Sequence, residues 1–102
     1  MANYVLSPEA KQDLGEIRDY LVSQGGKRLA RYVLQEFAEA FRLLASQPEA
    51  GHLHRDLTPL PVKFWPVFSY LIVYDPTAKP LAIVRTLDGR RDVGAILGRK
   101  AP

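Results

Sequence analysis

The chain has 102 residues, 47% of them hydrophobic and 25% charged, a composition that excludes collagen-like, low-complexity and intrinsically disordered classes. It contains no cysteine, which rules out a disulfide framework, a thiolate nucleophile and Cys-ligated zinc or iron–sulfur centres. The net charge of +3 is modest but uneven: residues 1–51 carry six basic and seven acidic side chains, and residues 52–102 carry eight and four, so the basic character lies in the second half.

Asn3 to Leu6 is a short strand-like run ended by Ser7-Pro8. Ser7 can cap a helix, and Pro8 suits its first turn, where a missing N–H costs nothing. Ala10, Leu14, Ile17 and Leu21 then recur at helical spacing, with Lys11, Asp13, Glu16, Arg18 and Asp19 assigned to the charged outer face. Gln24-Gly25-Gly26 stops this helix, because glycine readily adopts the left-handed C-terminal cap. Ala30, Val33, Leu34, Phe37, Phe41 and Leu44 define a second helix that ends at Gln47-Pro48. Two amphipathic helices joined by two glycines make a hairpin, and two apolar stripes of this width require a sheet to cover.

Pro48 to Pro61 holds three prolines and a glycine and reads as an irregular connector. Val62 to Val67 is strand-like but broken by Pro66; Tyr70 to Tyr74 and Leu81 to Leu87 are strands separated by the turn Asp75 to Pro80. The order β-α-α-β-β-β specifies an α+β fold, a helical hairpin on one face of a small, mostly antiparallel sheet, as one domain over residues 1–102. The longest apolar run, Tyr70 to Tyr74, is far short of the roughly 20 residues that span a bilayer. The N-terminus lacks a basic flank and an apolar stretch, so the expected location is the cytoplasm, with no membrane partner.

A glycine-rich phosphate loop, a Gly-x-Ser-x-Gly elbow and a His-Glu-x-x-His pair are all absent. His52 and His54 lie on the connector without an evident third ligand and read as solvated, so neither metal nor cofactor is expected. The informative residues are basic ones around the strands: Arg55, Lys63, Arg85, Arg90 and Arg91. Strand alternation puts Lys63 with Trp65 on one face, and Leu81, Ile83, Arg85 and Leu87 together on another. Arg85 thus interrupts an apolar face, and its fork of donors needs an acid: an internal one such as Asp88 or Asp92, or one from a partner. Arg90 and Arg91 follow the turn dipeptide Asp88-Gly89. Trp65 is either core or an aromatic anchor.

Taken together, Leu6-Ser7-Pro8-Glu9-Ala10 with Asp13-Leu14 and Ile17, Pro48-x-x-Gly51, Tyr70 to Tyr74, Ile83 to Leu87 and Arg90-Arg91-Asp92-Val93 resemble the RelE/ParE toxin superfamily of type II toxin–antitoxin systems. The resemblance spans nearly the whole chain. It implies a neutralising antitoxin, a hetero-oligomer with it, and one of two activities. RelE-like members cut messenger RNA on the ribosome with clustered Lys and Arg plus a Tyr or His near the C-terminus. Here Arg55, Lys63 and Arg85 match the cations loosely. No Tyr or His follows Tyr74, and Gly94 stands where the tyrosine is sought. ParE-like members, which the tail resembles more closely, inhibit DNA gyrase by binding. That resemblance implies a ParD-like antitoxin, no catalytic residue, no sequence-specific nucleic-acid binding, and Arg85, Arg90, Arg91 and Trp65 as partner contacts. A RelE-like endonuclease is the alternative, and a member that has lost toxicity is a third possibility.

Overall fold

The computed structural model describes residues 3–98. Strand β1, Tyr4–Leu6, leads into a helical stretch, Pro8–Ser46. Gly26 divides this stretch with φ 80° and ψ −179°, a conformation reserved for glycine, so residues 8–25 form α1 and 27–46 form α2. The remaining elements are a 3-10 turn, Pro48–Ala50, strands β2 (Lys63–Val67), β3 (Tyr70–Asp75) and β4 (Leu81–Asp88), and a short helix α3, Val93–Ile96. The sheet order is β1-β4-β3-β2; β1 runs parallel to β4 and the other pairs are antiparallel. The expected α+β fold is therefore observed, and α3 is an addition that the sequence reading did not contain.

Ser7 joins helix to sheet. Its hydroxyl oxygen accepts the Ala10 N–H at 2.9 Å and its O–H donates to the Val84 carbonyl at 2.7 Å, while its own N–H bonds Ile83 O at 3.0 Å. One residue thus satisfies a helix N-terminus and the edge of β4 beyond the end of β1. The hairpin-side core packs Ile17, Leu21, Val33, Phe37, Phe41 and Leu44 against Ile72, Tyr74, Leu81 and Ile83. Phe37 is central, with ring centroids 5.6 Å from Tyr70 and 6.1 Å from Phe41. A second core on the opposite face joins Val62, Phe64, Val73 and Leu87 to Val93 of α3.

Two strand expectations are corrected. Pro66 does not break β2, because β2 is an edge strand: the Phe64 N–H and C=O face outward to His52, so the same-side Pro66 two residues on needs no N–H. In β4, Val73 pairs with Arg85 but Tyr74 pairs with Ile83, leaving Val84 as a bulge. The extra residue inverts the alternation, so Leu81 and Ile83 enter the hairpin-side core whereas Leu87 joins the opposite one.

The Pro48-x-x-Gly51 segment is held by Tyr74. Its phenol donates to Pro48 O at 2.7 Å and accepts the Gly51 N–H at 2.8 Å, and burial raises its pKa above the usual phenol value. A β-carbon on Gly51 would lie 2.8 Å from Phe64 O, which only backbone movement could relieve. Tyr74→Phe leaves a buried N–H and a carbonyl without a partner and is expected to cost about 1–3 kcal/mol, read as a lower urea midpoint at unchanged slope. An unchanged midpoint would show that the hydroxyl is dispensable to the anchor.

Candidate functional site

Arg85, whose donors call for an internal acid or a partner's, faces an internal one, and it is neither Asp88 nor Asp92. Arg85 Nε donates to Asp13 Oδ2 at 2.7 Å and its terminal nitrogen to Oδ1 at 2.8 Å, a two-point fork. The Thr86 N–H adds a third bond to Asp13 Oδ2 at 3.1 Å. Asp13 is 6% exposed, so its placement on the outer face of α1 is also corrected. The bonds to Asp13 raise the Arg85 pKa further, so the guanidinium stays charged at every accessible pH.

Asp88 belongs to Arg90. Its Oδ1 accepts Arg90 Nε at 3.0 Å, its Oδ2 accepts the terminal nitrogen at 2.7 Å, and the Arg90 N–H closes the turn onto Oδ1 at 2.9 Å. The Arg90 side chain is exposed, and so is Arg91; with Tyr20, Tyr70 and Glu16 they line a shallow cavity between α1 and the end of β4. The bonds from Arg90 hold the Asp88 carboxyl down at about 2, from its ordinary 3.8. A depressed carboxylate pKa stabilises the fold above the unfolded value, and the contribution fades as pH falls toward the folded one. Acid titration of Asp88→Asn against wild type is therefore expected to give stability curves that separate above about pH 4 and converge toward about pH 2. Because Arg90 stands exposed and solvent screens the pair, the separation should be small.

The other basic residues do not converge on Arg85. Lys63 Nζ bonds Glu49 at 3.1 Å and reaches Gly51 O at 3.5 Å, on β2, two strands and roughly 10 Å across the sheet from β4. Arg55 is exposed on the connector. His54 stacks edge-on against Phe64 at 5.0 Å and His52 bridges β2 through its backbone. Among the described residues no three His, Cys, Asp or Glu side chains are grouped to hold a metal ion. No helix of those residues is long and apolar enough to cross a membrane. Trp65 is half-buried, packed against the hairpin-side core, and lines a groove between α2 and β2.

The hairpin itself carries an open apolar groove. Val22 of α1 and Ala30, Leu34 and Ala38 of α2 form its floor, and Arg18, Lys27 and Arg31 rim it. Arg18 is held by Asp19 at 3.2 Å, while Lys27 and Arg31 make no ion pair among the described residues. The hairpin periodicity implies such a seam, but which of its residues stay uncovered depends on the angle set at Gly26.

The family described as the ParE toxin of the type II toxin–antitoxin system, parDE, matches residues 4–93. A solved structure titled "Chromosomal ParDE TA system from P. aeruginosa" superposes with a TM-score of 0.72 at 20% identity, covering 86% of this chain and 96% of that one. That likeness establishes a shared fold. No curated protein matches the sequence. The family match covers most of the chain. The chain belongs to the ParE toxin family of the RelE/ParE superfamily.

Proposed function

We propose that this protein is the toxin of a type II pair, neutralised by a ParD-like antitoxin in a hetero-oligomer, and that it inhibits DNA gyrase by binding rather than by breaking a bond. The observation that carries the second clause is the fate of the cations that RNA cleavage needs. Phosphate cleavage requires free positive groups converging on one oxyanion, with an acid or base in reach. Arg85 is instead locked to Asp13, Lys63 is engaged by Glu49 and Gly51, and Gly94, where a tyrosine is sought, sits buried in α3.

The hairpin groove supports the first clause. An amphipathic helix can lay its apolar face on Ala30, Leu34 and Ala38, with acidic side chains meeting Lys27 and Arg31. Arg90 and Arg91 remain as exposed contacts for an acidic partner surface, whereas Arg85 contributes by fixing β4 to α1. The test is a plasmid supercoiling assay with purified gyrase, run beside cleavage of a ribosome-bound message. Inhibited gyrase with intact message is the expected result; cleaved message with unaffected gyrase would overturn the reading in favour of a RelE-like endonuclease.

A further inference from the structure

The β2–β3 hairpin turns in two residues, Phe68 and Ser69, between the paired Val67 and Tyr70. Phe68 occupies the first of them with φ +55°, a backbone region that glycine and asparagine tolerate and a bulky side chain resists. The phenylalanine is 58% exposed, so core packing does not account for it. Its ring lies 6.0 Å from that of Tyr32 on α2, itself 54% exposed, making an aromatic pair that stands at the surface. A strained position holding a large apolar side chain outward is the pattern expected where function opposes local preference.

Beside this pair runs the groove between α2 and β2. Trp65, Pro66, Phe68 and Leu43 supply its apolar surface, and its charged lining side chains are Glu36 and Glu39. Neither carboxylate makes a hydrogen bond or ion pair among the described residues. The groove is therefore opposite in charge to the Lys27 and Arg31 rim of the hairpin groove and suits a different partner. Strand addition is not how it would be filled: Phe64 already uses its outward backbone groups on His52, and Pro66 has no N–H to offer. Side chains inserted between Trp65 and Phe68, with cations on Glu36 and Glu39, fit the lining.

We propose that this acid-rimmed groove, with Phe68 as its anchor, is the surface that engages the toxin's target protein through a basic, apolar segment, separately from the antitoxin groove. The inference rests on the reading of the chain as an active toxin. Three forms are compared: wild type, Phe68→Gly, and Glu36→Lys with Glu39→Lys. Each is induced in cells and titrated with the purified antitoxin by calorimetry, and its melting temperature and gyrase inhibition are measured. Phe68→Gly suits the turn and is expected to melt no lower than wild type, so folding and binding separate. Both variants should lose growth arrest and target inhibition by at least about tenfold, with antitoxin affinity changed less than about twofold. Growth arrest undiminished in both variants overturns the proposal, as does a parallel loss of antitoxin affinity or a wild type that arrests nothing. A wild type that arrests growth without touching gyrase refutes the gyrase reading alone, and the groove is then judged by the loss of arrest in the variants.

Discussion

Asp13→Ala is expected to be the most damaging single change outside the apolar core, lowering stability by about 3–5 kcal/mol. The substitution removes a carboxylate that receives two Arg85 nitrogens and the Thr86 N–H, and leaves all three donors facing a largely buried space. The loss comes mainly from the stranded guanidinium, so the pair of substitutions distinguishes it from ordinary loss of contact. Asp13→Leu combined with Arg85→Met replaces both charges by apolar groups and should be less destabilising than Asp13→Ala alone. Thermal denaturation of the wild type, Asp13→Ala, Asp13→Leu, Arg85→Met and the double variant checks this. If the double variant is as unstable as Asp13→Leu and Arg85→Met added together, the ion pair is not what fixes α1 to β4.

This pair also governs how a change at Arg85 must be read. Arg85→Glu would set a second carboxylate against Asp13, so a weakened antitoxin complex from that variant would report a disturbed fold rather than a lost contact. Arg90 and Arg91 do not share this difficulty. Arg90 is held only by a neighbour two residues away in an exposed turn, and its substitution leaves no buried group unpaired.

Asp13 and Arg85 show what was legible in the sequence and what was not. Ala10, Asp13, Ile17 and Leu21 recur at three and four residues, so Asp13 occupies a stripe position as fully as its apolar neighbours do. Its place among Lys11, Glu16, Arg18 and Asp19 points to an outer charged face instead. Two oddities, an acid in the stripe of α1 and an arginine in an apolar strand, complement each other, and reading them together would have paired them. The hairpin, the cap at Ser7 and the glycine break were legible because periodicity and capping are local. The bulge at Val84 was not, since neither glycine nor proline marks it and the Ser7 hydroxyl that bonds its carbonyl is remote in sequence. The groove beside Trp65 was half legible: the aromatic residue stood out, but the left-handed Phe68 that completes it is a property of a two-residue turn whose register only the pairing of Val67 with Tyr70 defines.

Ala38→Glu is expected to separate the two partner faces most sharply. Ala38 forms part of the groove floor between Leu34 and the rim, and is only partly buried, so glutamate, a good helix former, can be placed there with little disturbance of α2. The longer side chain fills the seam, and its charge opposes the acidic residues that Lys27 and Arg31 would attract. Antitoxin affinity should fall about 100-fold, equivalent to about 2.7 kcal/mol at 1.36 kcal/mol per tenfold, with the melting temperature within a few degrees of wild type. In cells the variant should arrest growth even when the antitoxin is co-expressed, because Trp65, Phe68, Glu36 and Glu39 lie on the other side of α2 and are untouched. Calorimetry showing wild-type affinity for Ala38→Glu would move the antitoxin off the hairpin groove. The acid-rimmed groove would then be an alternative seat, an apolar cleft that α2 also borders and whose Glu36 and Glu39 carboxylates make no ion pair among the described residues. Phe68→Gly would have to weaken antitoxin binding in that event, and the two variants together therefore assign each face to one partner.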